Sequence, residues 1–497
     1  MNAMPRFAFR IASLAVAAAL AACAAVGPDY HQPSEALASQ GAAARPFAEG
    51  PANAAPLPAH WWRLYNDPLL DRLVTQALAH NTDLRQAVAN LERERAIEAE
   101  VAGAKYPTLG VNGGPSFGHV SGLSLLQKGY EPPNTFNYSA GASLSYQVDL
   151  FGQIRRAIEA AGASTESAEA GLDLVRVNVA AGTARAYAEA CSTGLRLQIA
   201  QKSVALQQDA VNVTDRLQRA GRAGAIDAGR ARAQLQQLNA ALPPLKAERQ
   251  GALYRLATLT GALPQDFPRE VADCTVPPRV AGTLPVGDGA ALLRRRPDIR
   301  QAERSLAAST ARIGVATADL YPKVTLGLSG SSAGHANDFG RKDTLAWSLG
   351  PLISWTIPNT GAAQARIAQA EAGTRAALAK FDGTVLTALR ETETALGTYA
   401  RELDRRAALQ ASRDESAKVA AQARQLYQNG RTAYLDALDA ERSLAASDAA
   451  LAASEAQLAD DQVVLFMALG GGWEPDAQAA DAVPLAQGQT VPSASKQ

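Results

Sequence analysis

The sequence predicts a mostly α-helical protein with a smaller share of membrane-type β-strand, built twice from one repeat. Three observations predict it. Asp83-Leu84-Arg85-Gln86-Ala87 returns as Asp298-Ile299-Arg300-Gln301-Ala302, and Tyr106-Pro107 as Tyr321-Pro322, both 215 positions on (298 − 83 and 321 − 106) with no gap. Each half carries two runs that alternate apolar and polar residues, the period of a strand with two unlike faces. After each pair of runs a proline-free helical pattern extends over 152–219 and 361–428. At ~1.5 Å per residue, each such helix is on the order of 100 Å long.

Composition narrows the function classes. The 497 residues are 47% hydrophobic and 19% charged with a formal net charge of zero, which argues against a nucleic-acid partner. Only 5% are aromatic while alanine recurs in long runs, a bias that suits long helices packed side by side. No GxxxxGK[ST] phosphate loop is present, and no Ser/His/Asp or paired-carboxylate arrangement stands out, so the chain does not read as an enzyme. His31, His60, His80, His119 and His335 are scattered without ligand spacing, which predicts no metal site, and no cofactor motif occurs.

Residues 1–22 carry Arg6 and Arg10, then an apolar run from Ile11 to Leu20, then small residues: a secretory signal peptide, too short to span a membrane. Leu20-Ala21-Ala22-Cys23 resembles a bacterial lipobox, which makes Cys23 the mature N-terminus and the site of a covalent lipid. Ala24 resembles the residue found in lipoproteins sent to the outer membrane. Cys191 and Cys274 then sit in a compartment that permits a disulfide, and the sequence leaves open whether they pair.

The rest follows in order. Residues 23–60, rich in Ala, Pro and Gly, read as an extended lipidated leader; Trp61-Trp62 open the first structural repeat, 61–261. A helix begins at Asp67-Pro68 and breaks near His80-Asn81. It restarts at Thr82-Asp83, with Thr82 as cap and Asp83 against the dipole, and stops at Tyr106-Pro107. Strands follow near 107–115, with Leu109 and Val111, and near 137–149, where Tyr138, Ala140, Ala142, Leu144, Tyr146 and Val148 alternate with polar or small residues. In the first long helix Leu197, Val204 and Val211 form one apolar row and Ile199, Leu206 and Val213 another, so this helix packs on two sides like a stave. It ends in Gly221-Arg222-Ala223-Gly224, and the return helix meets a kink or break at Pro243-Pro244.

A Pro- and Gly-rich linker, 262–288, leads to the second repeat, 289–472. Its strands lie near 322–330 and 345–357, its long helix ends in Asn429-Gly430-Arg431-Thr432, and the tail 473–497 reads as largely disordered. Gly221 and Gly430, like Gly261 and Gly470, are 209 positions apart (430 − 221 and 470 − 261). Aromatic residues at or near the ends of the long strands match the interfacial girdles of membrane barrels. Four strands cannot enclose a pore, and a lipid-exposed sheet edge leaves backbone groups unpaired. The strands therefore close on those of other copies, two giving eight strands and three giving twelve.

Four strings resemble one family across nearly the whole mature chain: Val26-Gly27-Pro28-Asp29-Tyr30, Trp61-Trp62, Asp149-Leu150-Phe151-Gly152-Gln153-Ile154-Arg155-Arg156 and, above all, Arg294-Arg295-Arg296-Pro297-Asp298-Ile299-Arg300. The chain resembles the TolC-type outer-membrane efflux channels, particularly the lipoprotein branch serving resistance-nodulation-division (RND) pumps. The resemblance implies the TolC-like fold: a homotrimer with a 12-stranded outer-membrane barrel continued by a long periplasmic α-helical coiled-coil barrel. It also implies a passive exit duct for drugs or other toxic small molecules, fed by an inner-membrane RND pump through a periplasmic adaptor. The same fold serves type I protein secretion, and a non-conducting periplasmic coiled-coil scaffold is the reading from another class.

The candidate site is the tip of the helices. Asp227 and Asp436 stand 209 apart, each six residues past its tip glycine, with Asp439 on the same helix face as Asp436. As first-turn acids they suit the helix dipole. The resemblance implies more, that carboxylates of this segment ring the closed inner aperture, with Arg431 and Arg230 as candidate partners of a periplasmic gate. Arg294 to Arg296 read as local structural contacts.

Overall fold

The computed structural model describes residues 25–48, 55, 57–119, 121, 123, 126–280, 282–355 and 360–473. The signal peptide, Cys23 and the tail beyond Trp473 lie outside them. In chain order the elements are α1 (Pro68–His80), α2 (Thr82–Gly103), β1 (Thr108–Gly118), β2 (Thr135–Val148), α3 (Gln153–Arg219), α4 (Ala225–Ala240), α5 (Leu242–Leu259), α6 (Gly289–Arg295), α7 (Pro297–Ala318), β3 (Lys323–His335), β4 (Leu345–Ser354), α8 (Thr360–Gln428) and α9 (Tyr434–Ala468). The first return helix breaks at Ala241, with Pro243 and Pro244 opening α5. Two compact units are present: one of 1–33, 90–168 and 301–381, the other of 34–89, 169–300 and 382–497.

The first unit holds a single antiparallel sheet in the order β1-β2-β3-β4. Its register makes the alternation physical. Leu109, Leu144, Leu328 and Leu349 lie abreast on one face, and Val111, Ala142, Gly330 and Trp347 form the next row of that face. The opposite face carries Gly110, Ser143, Ser329 and Ser348 abreast, with Ser329 and Ser348 hydroxyls 2.8 Å apart. The apolar face is open, with Val111 78% and Trp347 80% exposed. β1 and β4 have no further strand partner among the described residues.

The same unit explains two of the signature strings. Asp149 caps α3, taking the Ile154 and Arg155 amides at 3.0 and 2.9 Å, and Phe151 stacks on Tyr321 at 4.5 Å. Arg156 is buried and gathers the leader, donating to the Val26 and Gly27 carbonyls, both at 3.2 Å, and to Asp29 at 2.7 Å. Gly27 lies at φ +88°, and a Cβ there would come 2.4 Å from the Gly314 Cα; only glycine allows this approach. The string at 26–30 is thus a docking segment, completed by the Tyr30 hydroxyl donating to Glu303 at 2.5 Å.

In the second unit the main core gathers Trp61, Trp62, Leu70, Val74, Leu256 and Phe466, all almost fully buried, with Trp61 stacked on Phe466 at 4.7 Å. The cap of α2 is Asn81 rather than Thr82, because the Asn81 side-chain oxygen Oδ1 accepts from the Asp83 and Leu84 amides at 2.8 and 3.2 Å while Thr82 already belongs to the helix. Asn81 also donates to the Leu259 carbonyl at 3.1 Å. Its equivalent 215 positions on is Arg296, which donates to the Ala468 carbonyl at 2.9 Å. Gly261 (φ +78°) and Gly470 (φ +70°) press against His80 and Arg296 respectively. The repeat therefore ties the same knot twice with different side chains. Arg296 adds Asp298 at 2.6 Å and Glu391 at 3.0 Å, so the arginine string makes local contacts. Burial opposes the Arg296 charge, but Asp298 and Glu391 outweigh it and raise the guanidinium pKa.

Cys191 on α3 and Cys274 in the linker are joined as a disulfide. Arg249 donates to the Cys274 carbonyl at 3.1 Å, and a Cβ at Gly194 would lie 2.1 Å from that oxygen. The linker is thereby fastened flat onto α3.

Candidate functional site at the helical tips

Both hairpin tips are built by one recipe. Gly221 and Gly430 take φ +70° and +69°, which lets the Arg222 amide reach the Leu217 carbonyl at 2.8 Å and the Arg431 amide reach Leu426 at 2.9 Å. Three residues into each return helix an aspartate folds back as a capping acceptor. Asp227 takes the Gly224 amide at 3.4 Å; Asp436 takes the Ala433 amide at 3.3 Å and the Thr432 hydroxyl at 2.5 Å. In one chain, then, these two acids close the ends of α4 and α9, and both remain exposed.

Asp439, Arg230 and Arg431 are exposed and make no ion pair among the described residues. The structure brings Asp436 together with Thr432, and Asp227 with Gly224. Within one chain it does not bring Arg431 or Arg230 to the carboxylates. Beside the acids, Ile226 and Leu435, again 209 apart (435 − 226), are 71% and 60% exposed.

The chain also has a cross-helix tie that sequence reasoning missed. Gln207 on α3 is 2% exposed. Its side-chain oxygen accepts from Arg442 Nε and Nη2 of α9 at 3.0 and 2.9 Å, and its nitrogen donates to the Ala231 carbonyl of α4 at 3.0 Å. One signal was available: Gln207 falls three after Val204 and four before Val211, a polar residue inside an apolar seam. Around it the Val204–Val211 row packs on Ala231 and Leu235 of α4. Ile199 and Leu206 of the second row face α8 and α9 across a cavity of about 230 Å³. Nearer the tip Arg424 reaches Glu441 at 2.7 Å, and Tyr427 meets Tyr434 edge-on at 5.2 Å. Burial raises the Tyr434 hydroxyl pKa, with Glu441, Asp209 and Tyr427 adding to it and Arg216 opposing.

These elements have counterparts elsewhere. The family model described as "Outer membrane efflux protein" matches residues 73–262 and 290–471. The chain is 32% identical to Nodulation protein T of Rhizobium leguminosarum bv. trifolii over 460 residues, 91% of this chain and 96% of that one. It is 30% identical to Outer membrane protein OprJ of Pseudomonas aeruginosa, over 95% of this chain and 97% of OprJ. The solved outer-membrane channel OprN superposes with a TM-score of 0.81 at 36% identity, covering 90% of this chain and all of that one. With the duplicated helix, strand and tip pattern matched over both halves, the chain belongs to the outer membrane efflux protein family.

Proposed function

We propose that this chain is the outer-membrane exit duct of a tripartite efflux system, carrying drugs or other toxic small molecules outward from an inner-membrane RND pump and a periplasmic adaptor. The observation that carries the reading is the four-stranded sheet with an open apolar face, a Ser- and Gly-rich face and two edges that have no strand partner among the described residues. In hydrocarbon every backbone group needs a partner, so such a sheet is stable only when closed on its copies. Three copies give a twelve-stranded barrel whose polar face lines water. Residues 61–261 and 289–472 are read as two versions of one unit, and Cys23 as the lipidated N-terminus.

At the far ends of the hairpins, exposed Asp436, Asp439 and Asp227 form the periplasmic gate, in which three-fold copies bring like charges together. Arg431 and Arg230 are free to pair with carboxylates of neighbouring copies. Loosening the tips is the adaptor's task, and exposed Ile226 and Leu435 offer it an apolar foothold. Reconstitution of the purified protein into planar lipid bilayers tests the reading. Discrete conductance steps are expected; an electrically silent membrane with inserted protein would favour the scaffold reading instead.

A further inference from the structure

Within the second unit a cavity of about 430 Å³ opens among α3, α8 and α9, well inside the size range of small-molecule sites. Leu174, Val177, Val464 and Met467 give it an apolar wall. Its charged lining comprises three carboxylates, Asp298, Glu391 and Asp461, against two guanidiniums, Arg296 and Arg390.

Among the described residues, Asp461 alone of these charged groups has no counter-ion. Arg296 spends its donors on Asp298, Glu391 and the Ala468 carbonyl, and Arg390 lies 3.8 Å from Glu391. Asp461, 6% exposed, accepts from Gln457 at 2.9 Å through Oδ1, while its Oδ2 is buried with no partner among the described residues. The neighbouring acids are already occupied. Asp460 holds Arg185 at 2.5 Å, and Glu402 holds Arg405 at 3.3 Å and accepts from Ser454 at 2.5 Å. A buried carboxylate oxygen left open costs free energy that a ligand's charged donor recovers. The last torsion of an aspartate is soft, so the group can turn Oδ2 toward the cavity.

We propose that this cavity binds a small organic monocation with an apolar body, an amine or amidine whose charge rests on Asp461 while its hydrocarbon lies along Val177, Val464 and Met467. Arg296, the buried guanidinium of the lining, is already paired with Asp298 and Glu391, so the open charge of the cavity is an acid. A metal ion lacks a donor set, since no group of three His, Cys, Asp or Glu suited to a metal occurs among the described residues. The cavity is separate from the gate acids on the tips, so the duct wall itself would carry a recognition site for cationic compounds.

Fluorescence titration of the full-length protein in detergent tests this with two probes: proflavine, a planar monocation bearing amino groups, and acridine, its uncharged relative in mildly alkaline buffer. Saturable proflavine binding is expected, weakened about tenfold or more by Asp461→Asn, with acridine binding unchanged. Asn keeps the oxygen that accepts from Gln457, and an unchanged melting curve establishes that the variant is folded. Val464→Trp, which fills the cavity, should abolish binding of both probes. Three results would overturn the proposal: no saturable proflavine binding by the wild type, equal affinity in Asp461→Asn, or an assembled structure in which a neighbouring copy's side chain fills the cavity. Conductance reads the channel and fluorescence reads the cavity, so either can fail without the other.

Discussion

Arg442 of α9 places Nε and Nη2 at 3.0 and 2.9 Å from the side-chain oxygen of Gln207 on α3. Because Gln207 also donates to the Ala231 carbonyl of α4, one buried amide holds α9 against the α3–α4 hairpin. Replacing Gln207 by Leu restores an apolar seam but removes the acceptor of the exposed Arg442 guanidinium and the side-chain donor to the Ala231 carbonyl, at a cost of about 1 kcal/mol. If the tie restrains the tips, Gln207→Leu should lower the melting temperature and raise single-channel conductance together. A channel unchanged in both would remove the tie from the gating mechanism.

Much of this architecture was legible because it rests on periodicity. The alternation from Tyr138 to Val148 places Leu144 with Leu109, Leu328 and Leu349 on one face, since side chains in a strand change sides at every residue. The repeat spacing was equally informative, because equivalent positions meet equivalent surroundings. What spacing does not reveal is which side chain performs a shared task. Asn81 and Arg296 occupy equivalent positions and reach equivalent carbonyls by different chemistry, and Asn81 took the capping role expected of Thr82. The disulfide was beyond reach for another reason: Cys191 and Cys274 are 83 residues apart, and only tertiary packing brings them together. At the tips the acids could be placed on the helices, yet their capping geometry follows from the Schellman turns that precede them, and Gln207 was hidden because its partner lies 235 residues away.

Arg296 offers a sharper test of the knot. Removing one partner of a buried ionic cluster leaves the others uncompensated, so Arg296→Ala should destabilise the protein by about 3–5 kcal/mol. Arg294→Ala, altering the exposed first arginine of the string, should change stability by less than about 0.5 kcal/mol. Thermal melts of the two variants beside the wild type check the contrast; equal losses would mean that the string acts through its total charge.

The Cys191–Cys274 bridge closes a long loop and pins the linker to α3. By the chain-entropy model such a bridge contributes about 4.5 kcal/mol, chiefly by restricting the unfolded chain. Reduction, or a Cys191→Ser, Cys274→Ser double variant, should therefore lower the melting temperature without changing conductance. A change in conductance with no loss of stability would instead connect the linker to the channel.

In the proposed gate the exposed acids at the tips act through their charge, and single-channel recording tests that. Asp436 also caps α9, so truncation would confound charge with helix fraying; Asp436→Asn with Asp439→Asn keeps an acceptor for the Ala433 amide and removes only the charge. Single-channel recordings in asymmetric potassium chloride should show higher conductance or a clear loss of cation preference in the double variant. Conductance and ion preference identical to the wild type would contradict a gate made of these carboxylates.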